Sequence, residues 1–218
     1  MRNLRQAQQS GFVGVVFLAI ALIGIVIAAI AAMSRSSASG TADQAAKTNA
    51  AIIIKQASDF KSGVDRMIIN GTNPVDISFD QTVGTGLFDP TPGAQFAVKN
   101  VPPGAAFDGT NATPPQYTYS RLVRLPGIGA ASANDYVVTA SGTNGLTLAV
   151  CQQINKMLYN DLTTGAPAVS TGTGAAWSTT PVAIDDSGVG SVNYAARPEG
   201  CVRTSDSKYV YYKAVVEN

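Results

Sequence analysis

Hydrophobic positions along the chain change their spacing repeatedly, and each change marks a new element. From Phe12 to Met33 no residue is charged, none is proline, and most are apolar. As a helix this run would span about 33 Å at 1.5 Å per residue, enough for the hydrocarbon core of a bilayer. From Thr41 the apolar positions take a helical spacing. Ala45, Ala46, Ile52, Ile53, Ala57, Phe60, Val64, Met67 and Ile68 fall mostly three or four apart and form one stripe. Lys47, Lys55, Asp59, Lys61, Asp65 and Arg66 lie largely off it. Asn70-Gly71 is a suitable stop, since both residues tolerate positive φ. Ser and Gly in Ser34–Gly40 weaken helix propensity between the two patterns. Two readings therefore stay open. One helix runs from about Phe12 to Asn70, roughly 90 Å long, or a membrane helix is joined to a separate helix by a Ser-rich linker at residues 34–41.

Beyond Gly71 the period shortens toward two. Val75–Phe79 alternates and predicts a strand among turn-rich segments such as "GTGLFDPTPG" and "NVPPGAAFDGTN". Gln116–Pro126 predicts a second strand, with Tyr117, Tyr119, Arg121, Val123 and Leu125 on one face. Asp135–Ser141 predicts its antiparallel neighbour across the loop "GIGAASAN". A second helix follows, with Thr143 or Asn144 as its cap and a stripe of Leu146, Val150, Cys151, Ile154 and Leu158. Thr163–Gly174 is a low-complexity loop, Gly200–Arg203 precedes the last element, and Lys208–Glu217 predicts a final strand rich in β-branched and aromatic residues. The expected fold class is α+β, a long N-terminal helix packed on an antiparallel sheet.

Charge fixes the direction of the apolar run. Arg2 and Arg5 precede it, and residues 1–11 contain no acid. The positive-inside rule keeps that end cytoplasmic and sends the long C-terminal domain outward. Arg35 opposes this weakly and Asp43 offsets it. A removable secretory signal remains an alternative, because "AAIAAM" offers small residues to a peptidase, although an h-region of about 7–15 residues is usual. An outward domain meets an oxidising space, where Cys151 and Cys201, the two cysteines of the chain, would form a disulfide. In the cytoplasm they would stay thiols. The bridge would pin the second helix to the region just before the last strand.

Composition narrows the chemistry. The chain holds 218 residues, 21 of them glycine and 11 proline, with a net charge of +1 and only 13% charged residues. Its positive residues form no basic stripe, so nucleic acid is not an expected partner. It has no histidine, which removes His-dependent triads and His-ligated metals. No motif marks a serine–lysine or carboxylate arrangement in its place, so an enzyme is not expected, nor is a cofactor or metal. Asp185-Asp186-Ser187-Gly188 is an acidic turn that reads first as a plain turn and only second as a calcium site. Asn70-Gly71-Thr72 and Asn111-Ala112-Thr113 match the N-glycosylation tripeptide, a frequent chance match. Trp177, Tyr194, Tyr209, Tyr211 and Tyr212 are candidates for an adhesive surface, though tyrosines of a last strand are more often part core and part sheet face. Thr163–Thr180 has the composition of a solvated loop before that of a binding loop.

The combination resembles the type IV pilin and pseudopilin superfamily. "RQAQQSG" before "FVGVV" looks like a prepilin leader, short, basic and ending in Gly11. An apolar helix starts at once and runs into an amphipathic half. "GLTLAVCQQINKML", a later "GC" and a tyrosine-rich last strand look like the disulfide-bounded C-terminal region of some pilins. The resemblance implies cleavage after Gly11 by a prepilin peptidase, N-methylation of Phe12, and assembly through the apolar helix. Phe12 and Val16 are the assembly positions it implies, and the small residues Gly14 and Gly24 add positions where like helices can approach closely. It departs from the family at Val16, the fifth residue after the cut, where pilins typically carry Glu. Some tip-located minor pilins and pseudopilins similarly lack that Glu, so Val16 points to a minor subunit and away from the bulk of a fibre.

The expected organisation is a leader at 1–11, a membrane or filament-core helix at 12–33, an amphipathic continuation at 34–71 and a head at 72–218. The expected function is a structural subunit of a type IV pilus or secretion pseudopilus. Its partners would be other pilin subunits, the prepilin peptidase and the inner membrane, with the head periplasmic before it joins an extracellular filament or a periplasmic pseudopilus. The alternative is a signal-anchored envelope protein with a binding head that never polymerises.

Overall fold

A computed structural model describes residues 40–83, 86–91, 95–109, 115–129, 134–159, 182–183 and 196–217. The chain divides into two compact units, Met1–Ala45 and Ala46–Asn218. The described part of the first, residues 40–45, is helical. The second takes in residues 46–71 of the expected amphipathic continuation and the expected head at 72–218. Among the described residues no helix is long and apolar enough to cross a membrane. The expected apolar helix at 12–33 and residues 34–39 of the alternative linker at 34–41 lie outside the described residues, while residues 40 and 41 are helical.

Helix α1 covers residues 40–69. Its stripe follows the helical period, with Ala46, Ala50, Ile53, Ala57, Phe60, Val64 and Met67 buried. Two expected members differ: Ala45 is exposed, and Ile52 is 37% exposed. At 100° per residue Ile52 sits beside Ile53 but past the edge of the buried arc, and Ala50 takes the inward position. The stop works as the residues predict. Gly71 adopts φ +91°, Thr72 N–H donates to Met67 O and Gly71 N–H donates to Ile68 O, a Schellman closure of the last turn.

The sheet runs β3-β1-β2-β5-β4, with β1 Tyr117–Arg124, β2 Asp135–Ala140, β3 Val182–Ala183, β4 Glu199–Arg203 and β5 Tyr209–Val216. β1–β2, β2–β5 and β5–β4 are antiparallel, and the short β3 runs parallel to β1 at Val123 and Arg124. The fold is α+β, with a mostly antiparallel sheet. Gly200–Arg203, which the sequence places before the last strand, belongs to β4 and forms a hairpin with β5 around Ser207 at φ +63°.

One row of side chains crosses four strands on the helix side of the sheet. Tyr117 lies opposite Ala140, Ala140 opposite Tyr211, and Tyr211 opposite Cys201. Ala46, Ala50, Ile53 and Ala57 of α1 pack with Ala140, Cys201 and Tyr211 in one cluster. The small alanines let the helix approach the large tyrosines closely. Farther along, Phe60, Val64 and Met67 pack with Val138, Val215, Ile77 and Leu87. Phe60 meets Tyr117 edge-on at 5.0 Å and Phe88 at 5.5 Å. Gly63 admits Leu87 and Ala97: a Cβ there would lie 2.7 Å from Leu87 Cδ1 and 3.0 Å from Ala97 Cβ.

The opposite face carries a second apolar cluster of Val123, Leu125, Val137, Val202, Val210, Tyr212 and Ala214. Val123 and Leu125 are therefore not on the face of Tyr117 and Tyr119. A register shift between Ser120 and Val123 puts three steps of β1 against two of β2. Such a bulge inserts one residue and exchanges the faces beyond it. Val75–Phe79 is likewise not a strand. Pro74–Asp76 forms a 3-10 turn, with Asn73 Oδ1 accepting from Val75 N–H. Pro74 fixes φ for that turn and Asn73 supplies the cap, and together they outweigh the alternation.

Helix α2, Leu148–Tyr159, buries Val150, Cys151, Ile154 and Asn155. Its cap is Thr147, whose Oγ1 accepts from Val150 N–H, in place of Thr143 or Asn144. Gly145 has φ +79° and Leu146 pairs with Phe107 and Tyr209, so the chain is still extended there and the helix starts later.

Candidate functional site

The processing and assembly positions, Gly11, Phe12, Gly14, Val16 and Gly24, lie outside the described residues. So do Asp185–Gly188, Thr163–Thr180, Trp177, Tyr194 and Asn111–Thr113. Asn70 and Gly71 of the other glycosylation tripeptide are exposed. Tyr211 and Tyr212 are fully buried, facing opposite sides of the sheet, and Tyr209 is half-buried. These tyrosines form core and not an adhesive surface, because each strand position must send its ring to one packed face or the other.

Cys151 and Cys201 form a disulfide with Cα atoms 5.3 Å apart, joining α2 to β4. Beside it the Asn155 carboxamide acts as a substitute strand. Asn155 Nδ2 donates to Cys201 O, and Asn155 Oδ1 accepts from Cys201 N–H, both at 2.9 Å. One helical turn on, Tyr159 O–H donates to Glu199 O, with the Arg197 guanidinium over its ring at 4.1 Å. Helix α2 thus covers the outer edge of β4, satisfying backbone groups that an exposed edge would leave open.

A buried charge cluster sits where β4 and β5 face α1. Lys213 Nζ donates to Glu199 Oε2 and, at 3.1 Å, to Ser58 Oγ on α1. Tyr211 O–H donates to Glu199 Oε1 at 2.7 Å. The Lys213 and Glu199 side chains are 13% and 11% exposed. Burial, and secondarily the Glu199 charge, holds the Tyr211 phenol well above its ordinary pKa, so it remains a donor. This cluster ties three elements together with charge-assisted hydrogen bonds. It acts as a clamp of α1 to the sheet.

The sequence reading missed Lys213, Glu199 and Asn155 as a group. Their signals are periodic. Lys213 is two residues from Tyr211 on β5, and Asn155 is four from Cys151 on α2, so each shares a face with a buried neighbour.

A groove of about 680 Å³ lies between Ile77–Asp80 and the Tyr117–Leu122 stretch of β1. The Phe79 ring stacks on Tyr119 at 4.3 Å. Arg121 donates to Ile77 O at 2.8 Å, with its guanidinium 5.6 Å from the centres of both the Tyr119 and Tyr136 rings. Burial raises the phenols of Tyr117 and Tyr119, the latter opposed by Arg121. Asp80 is lowered, first by the Thr82 backbone N–H, then by the Thr82 and Ser78 side chains. A smaller groove of about 420 Å³ lies between Asp59, Ser62 and Arg66 of α1 and residues 95–100. Among the described residues no cluster of His, Cys, Asp or Glu could hold a metal ion.

Compared with models of known families, with curated proteins and with solved structures, the chain matches none of them.

Proposed function

We propose that the chain is a structural subunit of a type IV pilus or related secretion pseudopilus, in a minor position. The observation that carries this reading is the order of parts. A short basic leader ends at Gly11, an uncharged run follows from Phe12 to Met33, and the amphipathic α1 then spends its stripe on an α+β head. The disulfide supports a head that matures in an oxidising space.

The physics of the stem supports the same reading. An uncharged helix satisfies its own backbone in a bilayer. It is equally stable at the centre of a bundle of like stems. Gly14, Gly24 and the alanines of residues 19–32 permit close helix approach. Repeated head-to-tail contacts that do not close on themselves build an open helical filament. Val16 leaves no carboxylate to bury there.

The test is Gly11→Val in the producing cell. The expected result is a chain that keeps residues 1–11, stays with the inner membrane and is absent from sheared filaments. A variant processed and distributed like the native chain overturns the reading, and leaves a signal-anchored envelope protein.

A further inference from the structure

Helix α2 is joined to the last hairpin by two kinds of bond, one covalent and one not. The covalent one is the Cys151–Cys201 bridge. One turn along α2, Asn155 is 6% exposed and gives both ends of its carboxamide to the Cys201 backbone. A further turn on, Tyr159 O–H donates to Glu199 O. Cys151, Asn155 and Tyr159 are spaced four apart, so they line one side of the helix. Glu199 and Cys201 are two apart on β4, so their outward backbone groups leave the same side of the strand.

The non-covalent contacts do not depend on the oxidation state of sulfur. A carboxamide carries a donor and an acceptor in one plane, and both partners of Asn155 are backbone groups set in place by the pairing of β4 with β5. Lifting α2 from the strand would break both bonds in a buried site, where unmade bonds are costly. It would also expose Val150 and Ile154, which pack in the cluster that holds Cys201 and Tyr211. The bridge, in contrast, depends on register. A one-residue slip of β4 against β5 would turn the Cys201 side chain to the face of Val202 and Tyr212, away from Cys151.

We propose that Asn155 is the non-covalent half of this lock: it keeps α2 docked on the β4 edge in the dithiol form and thereby strengthens the bridge against reduction. In an undocked chain, closing the bridge carries the loop-closure cost of a 50-residue separation. With α2 docked by Asn155, folding has already brought the two thiols together. The α2–hairpin unit therefore stays closed in both redox states, and the bridge reinforces a contact that exists without it. The inference is independent of whether the chain enters a filament.

The test equilibrates the full chain, in mild detergent, with mixtures of reduced and oxidised dithiothreitol. The reagent's two thiols pass two electrons and two protons to the bridge, giving two protein thiols and the reagent's cyclic disulfide. Bridge content is read by thiol alkylation and mass. N155L removes both hydrogen bonds, and is expected to lower the reduced-to-oxidised reagent ratio at half-reduction by about fivefold or more. N155D keeps the acceptor for Cys201 N–H and loses the donor, and is expected to shift the ratio in the same direction. By linkage, N155L should change the urea-unfolding constant of the oxidised chain more than that of the dithiol chain, by the same factor. A merely structural residue would change both equally and leave the ratio unmoved. In the dithiol form of the native sequence, Cys201 N–H is expected to stay protected from hydrogen exchange, a readout that holds whether or not the variants fold. Three results overturn the proposal: a dithiol form that unfolds, a Cys201 N–H that exchanges as an open amide once the bridge is reduced, or a half-reduction ratio unmoved by N155L and N155D alike.

Discussion

Replacing Lys213 with Met tests the clamp between α1 and the sheet. Methionine keeps the apolar length of the lysine stem and removes the ammonium. Glu199 then keeps the Tyr211 hydroxyl as a partner, inside a site where its side chain is 11% exposed. Removing one member of a buried pair costs about 3–5 kcal/mol, because the other charge is left without compensation. Lys213 also releases Ser58 on α1, so the loss reaches the helix–sheet contact. Lys213→Met is therefore expected to destabilise the head by about 3 kcal/mol or more. Glu199→Gln is expected to fall at the low end of that range, since its amide oxygen still accepts from Tyr211.

The double variant is the sharper half of the experiment. With both charges gone, no uncompensated ion remains, and the cost should be smaller than the sum of the singles by about 0.5–3 kcal/mol. The assay is urea unfolding of the full chain in mild detergent, followed by near-ultraviolet circular dichroism under non-reducing conditions. The m value should be unchanged, showing that the same surface is exposed on unfolding. A Lys213→Met cost below about 1 kcal/mol would place the pair with exposed surface bridges and refute the reasoning. Strict additivity of the two singles would refute it as well.

Other expectations follow from the same packing. Cys151 and Cys201 are 50 residues apart, so replacing both with Ala should lower stability by about 4 kcal/mol in the chain-entropy model, read as a drop in Tm. Tyr211 has its pKa raised in the folded state. It binds its proton longer folded than unfolded, so its stabilisation is full below about pH 10 and declines above it. The slope should approach about 1.4 kcal/mol per pH unit for this residue, and Tyr211→Phe should flatten the alkaline limb in stability-against-pH measurements. Gly63→Ala should cost about 1–3 kcal/mol in the same unfolding assay, because its Cβ would collide with Leu87 Cδ1 at 2.7 Å.

Elements that bury one face over several periods were legible in the sequence. The α1 stripe, the Asn70-Gly71 stop and the cores of β1, β2 and β5 follow from periodicity and local chemistry, and the disulfide joining α2 to the segment before β5 follows from two cysteines in a domain expected to face an oxidising space. Features set by tertiary partners were not. The bulge in β1 depends on its register with β2, and it moves Val123 and Leu125 to the far face. Pro74 and Asn73 turn a short alternating stretch into a 3-10 turn. The strand character of Glu199–Arg203 comes from its pairing with β5 and from Asn155, which lies 46 residues from Cys201 in the chain. A parallel pairing as short as Val182–Ala183 has no periodic signal at all. The clamp is hidden for a related reason: Lys213 and Glu199 read singly as surface charges, and only the facing positions of β4 and β5 bring them together.

The most direct measurement of the central claim is the intact mass and N-terminal sequence of the protein recovered from its own cells. A subunit processed as proposed begins at Phe12 with a methylated amine and retains the Cys151–Cys201 bridge. A chain that begins at Met1 would contradict the proposal, and a chain cut near Met33 would contradict it as well.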